Sequence, residues 1–100
     1  MPIPAEYQRA TDKFYEYMSA AKEEAGLGST HQAFTMTEGV FRAFRRRLTL
    51  EDALAFANIL PVGLRALFVT DWKPKAEPHP FESRERMTRE VQALRGGHNF

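Results

Sequence analysis

At 100 residues the chain has the usual length of one domain. Its 43% hydrophobic and 27% charged residues exclude wholesale disorder, and the absence of cysteine excludes disulfides, thiolate metal sites and a cysteine nucleophile. A net charge of +1 excludes a strong overall electrostatic drive toward nucleic acid or anionic lipid. Met1 to Glu6 contain neither the basic nor the apolar part of a secretory leader. The longest uncharged apolar stretch, Ala53 to Leu64, is interrupted by Asn58 and Pro61 and falls short of the roughly 20 residues that cross a membrane. These features give the expectation of a cytoplasmic chain with no membrane partner.

The first helix is predicted over 5–25. Pro4 stands where proline is tolerated, near a first turn, and Tyr7, Thr11, Phe14, Met18, Ala21 and Ala25 recur at spacings of three and four. Gly26 supplies the stop. A second helix is expected over 30–47, capped by Ser29 or Thr30. Ala33, Phe34, Val40, Phe41, Phe44 and Leu48 form its apolar face, with Gly39 inside it as a mark of close approach. Arg45, Arg46 and Arg47 end it, where cations suit the helix dipole.

Thr49 caps a third helix over 50–60, with Asp52 completing an imperfect capping box. From Ala53 to Leu60 only Asn58 is polar. A helix apolar on nearly every side is expected to be surrounded, as the central helix or in a subunit interface. Leu60-Pro61 ends it, because a residue before proline is driven out of the helical region, and Pro61 opens a fourth helix over 61–71. Residues 73–80, with Pro74, Pro78 and Pro80, read as a semi-rigid linker. A last helix over 83–95 carries a thin stripe of Met87, Val91 and Leu94, and residues 96–100 read as a mobile tail. No segment alternates with a strand's period of two. The fold class is all-α, a compact bundle of about five helices in a single domain over 1–100.

The run Leu60-Pro61-Val62-Gly63-Leu64-Arg65-Ala66-Leu67-Phe68, followed by Trp72-Lys73-Pro74, resembles the hinge of the prokaryotic proteins grouped as domain of unknown function 2267. The upstream order agrees: an aromatic-rich first helix, a second ending in Arg47-Leu48, and a third beginning Glu51-Asp52-Ala53. The resemblance spans roughly Tyr7 to Leu94. Gly63 stands where an acidic residue is usual in that family, and the second helix set that members often carry is represented here only by one further helix. The resemblance implies an all-helical bacterial protein and no established activity.

No catalytic, cofactor-binding or metal-binding set emerges. His31, His79 and His98 are not spaced to share a metal, and no serine stands in a nucleophile elbow. Glu38 and Arg42 are placed for a surface pair. Arg42, Arg45 and Arg46 share a helix face, with Arg47 beside them. They are the candidate anion-binding residues, read as dipole-compensating solubility charges or as phosphate contacts. Twelve aromatic residues exceed what a thin last helix covers, so Phe56, Ile59, Phe68 and Trp72 near the hinge are the candidate interaction surface. The leading expectation is a non-enzymatic protein–protein interaction or self-association module, a homo-oligomer or the partner of another protein, with no cofactor. Nucleic-acid binding through the Arg42–Arg47 face is the alternative, and a carrier of a small apolar ligand between helices is a third reading.

Overall fold

A computed structural model describes residues 3–73 and 80–94. The described residues hold six helices and no strand: α1 (Ala5–Gln8), α2 (Ala10–Glu24), α3 (Thr30–Arg45), α4 (Leu50–Ile59), α5 (Val62–Val69) and α6 (Arg84–Ala93). The protein is an all-α bundle. The expected first helix is divided at Arg9, whose backbone leaves helical geometry (φ −102°, ψ 8°) for a single residue. The expected linker falls largely, and the tail entirely, outside the described residues.

The local stops and starts have direct causes. Gly26 has φ 65°, the left-handed region that glycine enters without a Cβ penalty. The hydroxyls of Ser29, Thr49 and Ser83 accept hydrogen bonds from the backbone N–H groups of Gln32, Asp52 and Arg86, each satisfying a donor left over at a helix start. Leu60 is extended (φ −82°, ψ 147°), as its place before Pro61 requires, and α5 begins immediately after the proline.

The central element is α3, not α4 as expected. α2, α5 and α6 all pack against α3, and its buried positions are Ala33, Thr35, Thr37, Gly39, Phe41, Ala43 and Arg45. Small residues at 33, 39 and 43 let neighbours approach from different sides. The two threonines are compatible with burial because their hydroxyls donate to carbonyls of their own helix, Thr35 to Gln32 (3.1 Å) and Thr37 to Ala33 (2.8 Å). Val40, expected on the inner face, is exposed.

By contrast, α4 buries only Ala53 and Ala57, with Phe56 and Leu60 half-buried beside them. The molecule is 20 Å through its shortest axis, about two helix diameters, so a helix at its margin has neighbours on one side only. Leu54 is 49% exposed and Ile59 77% exposed.

The core is an aromatic cluster around Phe68, which has no exposed surface. Its ring centroid lies 5.4 Å from that of Phe41, nearly perpendicular, and 5.1 Å from that of Phe56. Phe44 lies 5.1 Å from Phe56 in an edge-on arrangement, and Trp72 closes the group at 6.4 Å from Phe68. Edge-to-face pairs of this kind add about 0.5–1.5 kcal/mol each beyond their buried area. Met18, Leu64 and Leu67 complete the core, with Phe14 and Ala21 packed against it. Of the stripe predicted for the first helix, Tyr7, Thr11 and Ala25 stay exposed.

Candidate interaction surface at the hinge

The basic run at the end of α3 is committed to the protein itself. Arg45 is buried, and its guanidinium donates to the carbonyls of Phe68 and Thr70 (both 2.7 Å) and of Asp71 (3.3 Å). Those carbonyls converge because Asp71 adopts φ 53°, a left-handed conformation that aspartate tolerates better than most residues. Arg45 thereby satisfies the exposed end of α5. Burial, followed by the nearby charge of Arg42, lowers its pKa from the ordinary guanidinium value, and Asp71 acts in the opposite direction.

Arg47 does the same for α6. Its side chain is 2% exposed and grips Glu90 with two hydrogen bonds, one of them 2.9 Å. It also donates to the carbonyls of Ala43 (2.6 Å) and Pro80 (2.9 Å). The bond to Glu90 raises its pKa above the ordinary value, partly offset by burial. Arg46 reaches the same carboxylate at 2.9 Å. Arg42 lies 3.6 Å from Glu38 and 3.7 Å from Asp71, and contacts the Leu94 carbonyl at 3.4 Å. The candidate anion-binding residues Arg42, Arg45 and Arg46 therefore meet protein acceptors. This run docks α5 and α6 onto α3.

The expected aromatic surface divides. Phe68 is corrected from surface to core, since it has no accessible area with which to meet a partner. Phe56 and Trp72 are half-buried members of the same cluster. Ile59 is the one candidate of the four that stands out from the protein. His31 stacks near the Phe34 ring at 6.4 Å, while His79 and His98 fall outside the described residues. No group of three metal-ligating side chains occurs among the described residues.

What the sequence reading did not isolate is the continuous face to which Ile59 belongs. Away from Ala53 and Ala57, the exposed positions of α4 are Glu51, Asp52, Leu54, Ala55, Asn58 and Ile59, and Leu50 is 52% exposed at its start. At its C-terminal end this face runs into a groove of about 460 Å³ between the α1–α2 segment and the Leu60-Pro61 hinge. Ala5, Ala10, Phe14, Tyr17, Pro61 and Val62 form its apolar lining. Glu6, Arg9, Lys13 and Arg65 also line it, three cations against one carboxylate. Arg65 is held in place by donating to the carbonyls of Ala57 and Leu60, both at 3.1 Å, and so closes the end of α4. Gly63 lets the start of α5 sit on Phe14: a Cβ at that position would lie 2.6 Å from one ring carbon and 3.1 Å from the Phe14 Cβ. The only sequence signal for this face was that Asn58 alone is polar along 53–60, which is equally the pattern of a buried helix.

The model of the family described as "Uncharacterized conserved protein (DUF2267)" matches residues 14–100. The chain belongs to the DUF2267 family. No curated protein matches it. The matched range places α3 to α6 and the hinge of this DUF2267 protein within the family unit, along with Phe14 and Tyr17 of the groove. The other groove wall, from Ala5 to Lys13, precedes the match.

Proposed function

We propose that this DUF2267 protein is a non-enzymatic interaction module that engages another protein chain through the outer face of α4 and the adjoining hinge groove. The supporting observation is the face itself. Leu50, Leu54, Ala55 and Ile59 present apolar surface on a helix that is held rigidly by Ala53, Phe56, Ala57 and Leu60 on its inner side. Apolar surface of this kind, interleaved with Glu51 and Asn58 and bordered by Asp52 and the groove cations, is characteristic of a docking site. Nucleic-acid binding through the Arg42–Arg47 run receives less support, because those guanidiniums already bond carbonyls and carboxylates of the protein. No described helix is long and apolar enough to cross a membrane. A cytoplasmic setting in a bacterium belongs to the same proposal, with which the cysteine-free sequence is compatible.

The test is site-specific photo-crosslinking in the cell of origin. A photoreactive phenylalanine analogue at Leu54 is expected to give a discrete protein adduct, and the same analogue at Glu24, exposed on α2, is expected to give none. Adducts of equal yield at both positions, or at neither, would contradict the proposal.

A further inference from the structure

From the charge layout around α4 we infer that the partner is a second copy of this chain, docked by antiparallel pairing of the two α4 helices; this rests on the interaction reading above. The face has opposite charge at its two ends. Its N-terminal turn carries Glu51 and Asp52, both exposed. Its C-terminal end, at Asn58 and Ile59, opens onto the groove lined by Arg9, Lys13 and Arg65 against the single carboxylate of Glu6. The groove also contains the start of α5, which has no acidic residue in its first turn and no side-chain cap, so the positive end of that helix adds to the same potential. Lys13 pairs with Glu16 at 3.3 Å, but both groups are well exposed and the pair is open to exchange.

A two-fold interface uses one patch twice, so what residue i meets on the partner, the partner's residue i meets in return. A patch acidic at one end and basic at the other is self-complementary in only one sense, head to tail. Residues 51 and 59 are equidistant from 55, so a two-fold axis passing near Ala55 sets each Glu51 over the other copy's Ile59 and groove. Ala55 is the smallest residue of the outer face and sits where the helices must come closest. Leu54 then packs across the axis on one flank and Ile59 lies beside the other copy's Glu51, while Leu50, about 180° round the helix from Ile59, stays outside the contact. The patch is one ten-residue helix, about 15 Å long, with a groove at one end, which belongs to the small class of interface. The dimer is accordingly concentration-dependent and weakened by salt.

Sedimentation velocity across a concentration series tests this. The wild-type chain is expected to pass from monomer to dimer, less readily as salt rises. Glu51→Lys with Asp52→Lys, or Arg9→Glu with Lys13→Glu, should each weaken association by about tenfold, because every exposed charge contact occurs twice. The four substitutions together should restore it to within a few-fold of wild type. Independently, Ala55→Cys in this cysteine-free chain should oxidise to a disulfide-linked dimer, whereas Glu24→Cys should not. Failure of the combined charge reversal to recover association, with no dimer from Ala55→Cys, would overturn the second-copy assignment. A strictly monomeric wild type would do the same; a Leu54 photo-adduct with a different protein would then leave the interaction reading standing, and no adduct would remove both.

Discussion

Arg46 and Arg47 are adjacent in sequence and share one carboxylate, yet they belong to different energetic classes. The side chain of Arg47 is almost wholly buried, and that of Arg46 is about one-third exposed. Removing Arg47 leaves Glu90 to the solvated Arg46 and leaves the carbonyls of Ala43 and Pro80 without this donor, so Arg47→Met should destabilise the fold by about 3 kcal/mol. Arg46→Gln removes a solvated contact and should cost less than about 1 kcal/mol. Urea unfolding with equal slopes for both variants checks this ordering; equal losses would show that Glu90 is not held mainly by Arg47. Because hydrogen bonding to Glu90 raises the pKa of Arg47, this contribution is present below the unfolded guanidinium pKa and, on the alkaline side, is lost in strong base. Gly63 is the second position where one atom decides the outcome. An alanine there gains up to about 1 kcal/mol of helix propensity. It also places a methyl against the Cβ and ring of Phe14, and since the Cβ cannot swing away, overpacking of about 1–3 kcal/mol should prevail. Gly63→Ala is therefore expected to lower the thermal midpoint, and a rise would mean that α2 gives way easily.

At the scale of elements, much of the layout was legible because its signals are local. Ser29, Thr49, Ser83, Gly26 and Pro61 each act within one turn of themselves, and the helices start and stop beside them. The division at Arg9 has no such signal in its residue type. The order of burial was not legible, for two reasons. Hydropathy treats Thr35 and Thr37 as surface residues, whereas intrahelical hydrogen bonds make them suitable for the centre of α3. The uniformly apolar α4 looked like a core element, but composition does not say how many neighbours a helix has, and α4 lies at the margin. The internal partners of the arginine run were not legible for a related reason. Its main acceptors lie 23 to 44 residues further along the chain, in α5, α6 and the turns beside them, beyond the reach of any periodicity. Of the proposed site, Ile59 was named from sequence. The groove cations were not, because α1–α2 and the hinge meet only in three dimensions.

For the whole molecule, the consequence is a division of labour between the last turn of α3 and the outer face of α4. The arginine run joins α5 and α6 to the central helix and uses its charges internally. The outer face of α4 stays open, part apolar and charge-polarised. The central claim is that contact with other chains occurs at this face and not at the arginine run. The most direct measurement is the backbone amide NMR spectrum of the wild-type protein, recorded over a range of concentrations and then with an added oligonucleotide. The account predicts concentration-dependent shifts concentrated at residues 51–59 and 5–13, with none at 42–47 and no response to the oligonucleotide. A spectrum unchanged by concentration, in which the oligonucleotide moves the amides of Arg42 to Arg47, would contradict it.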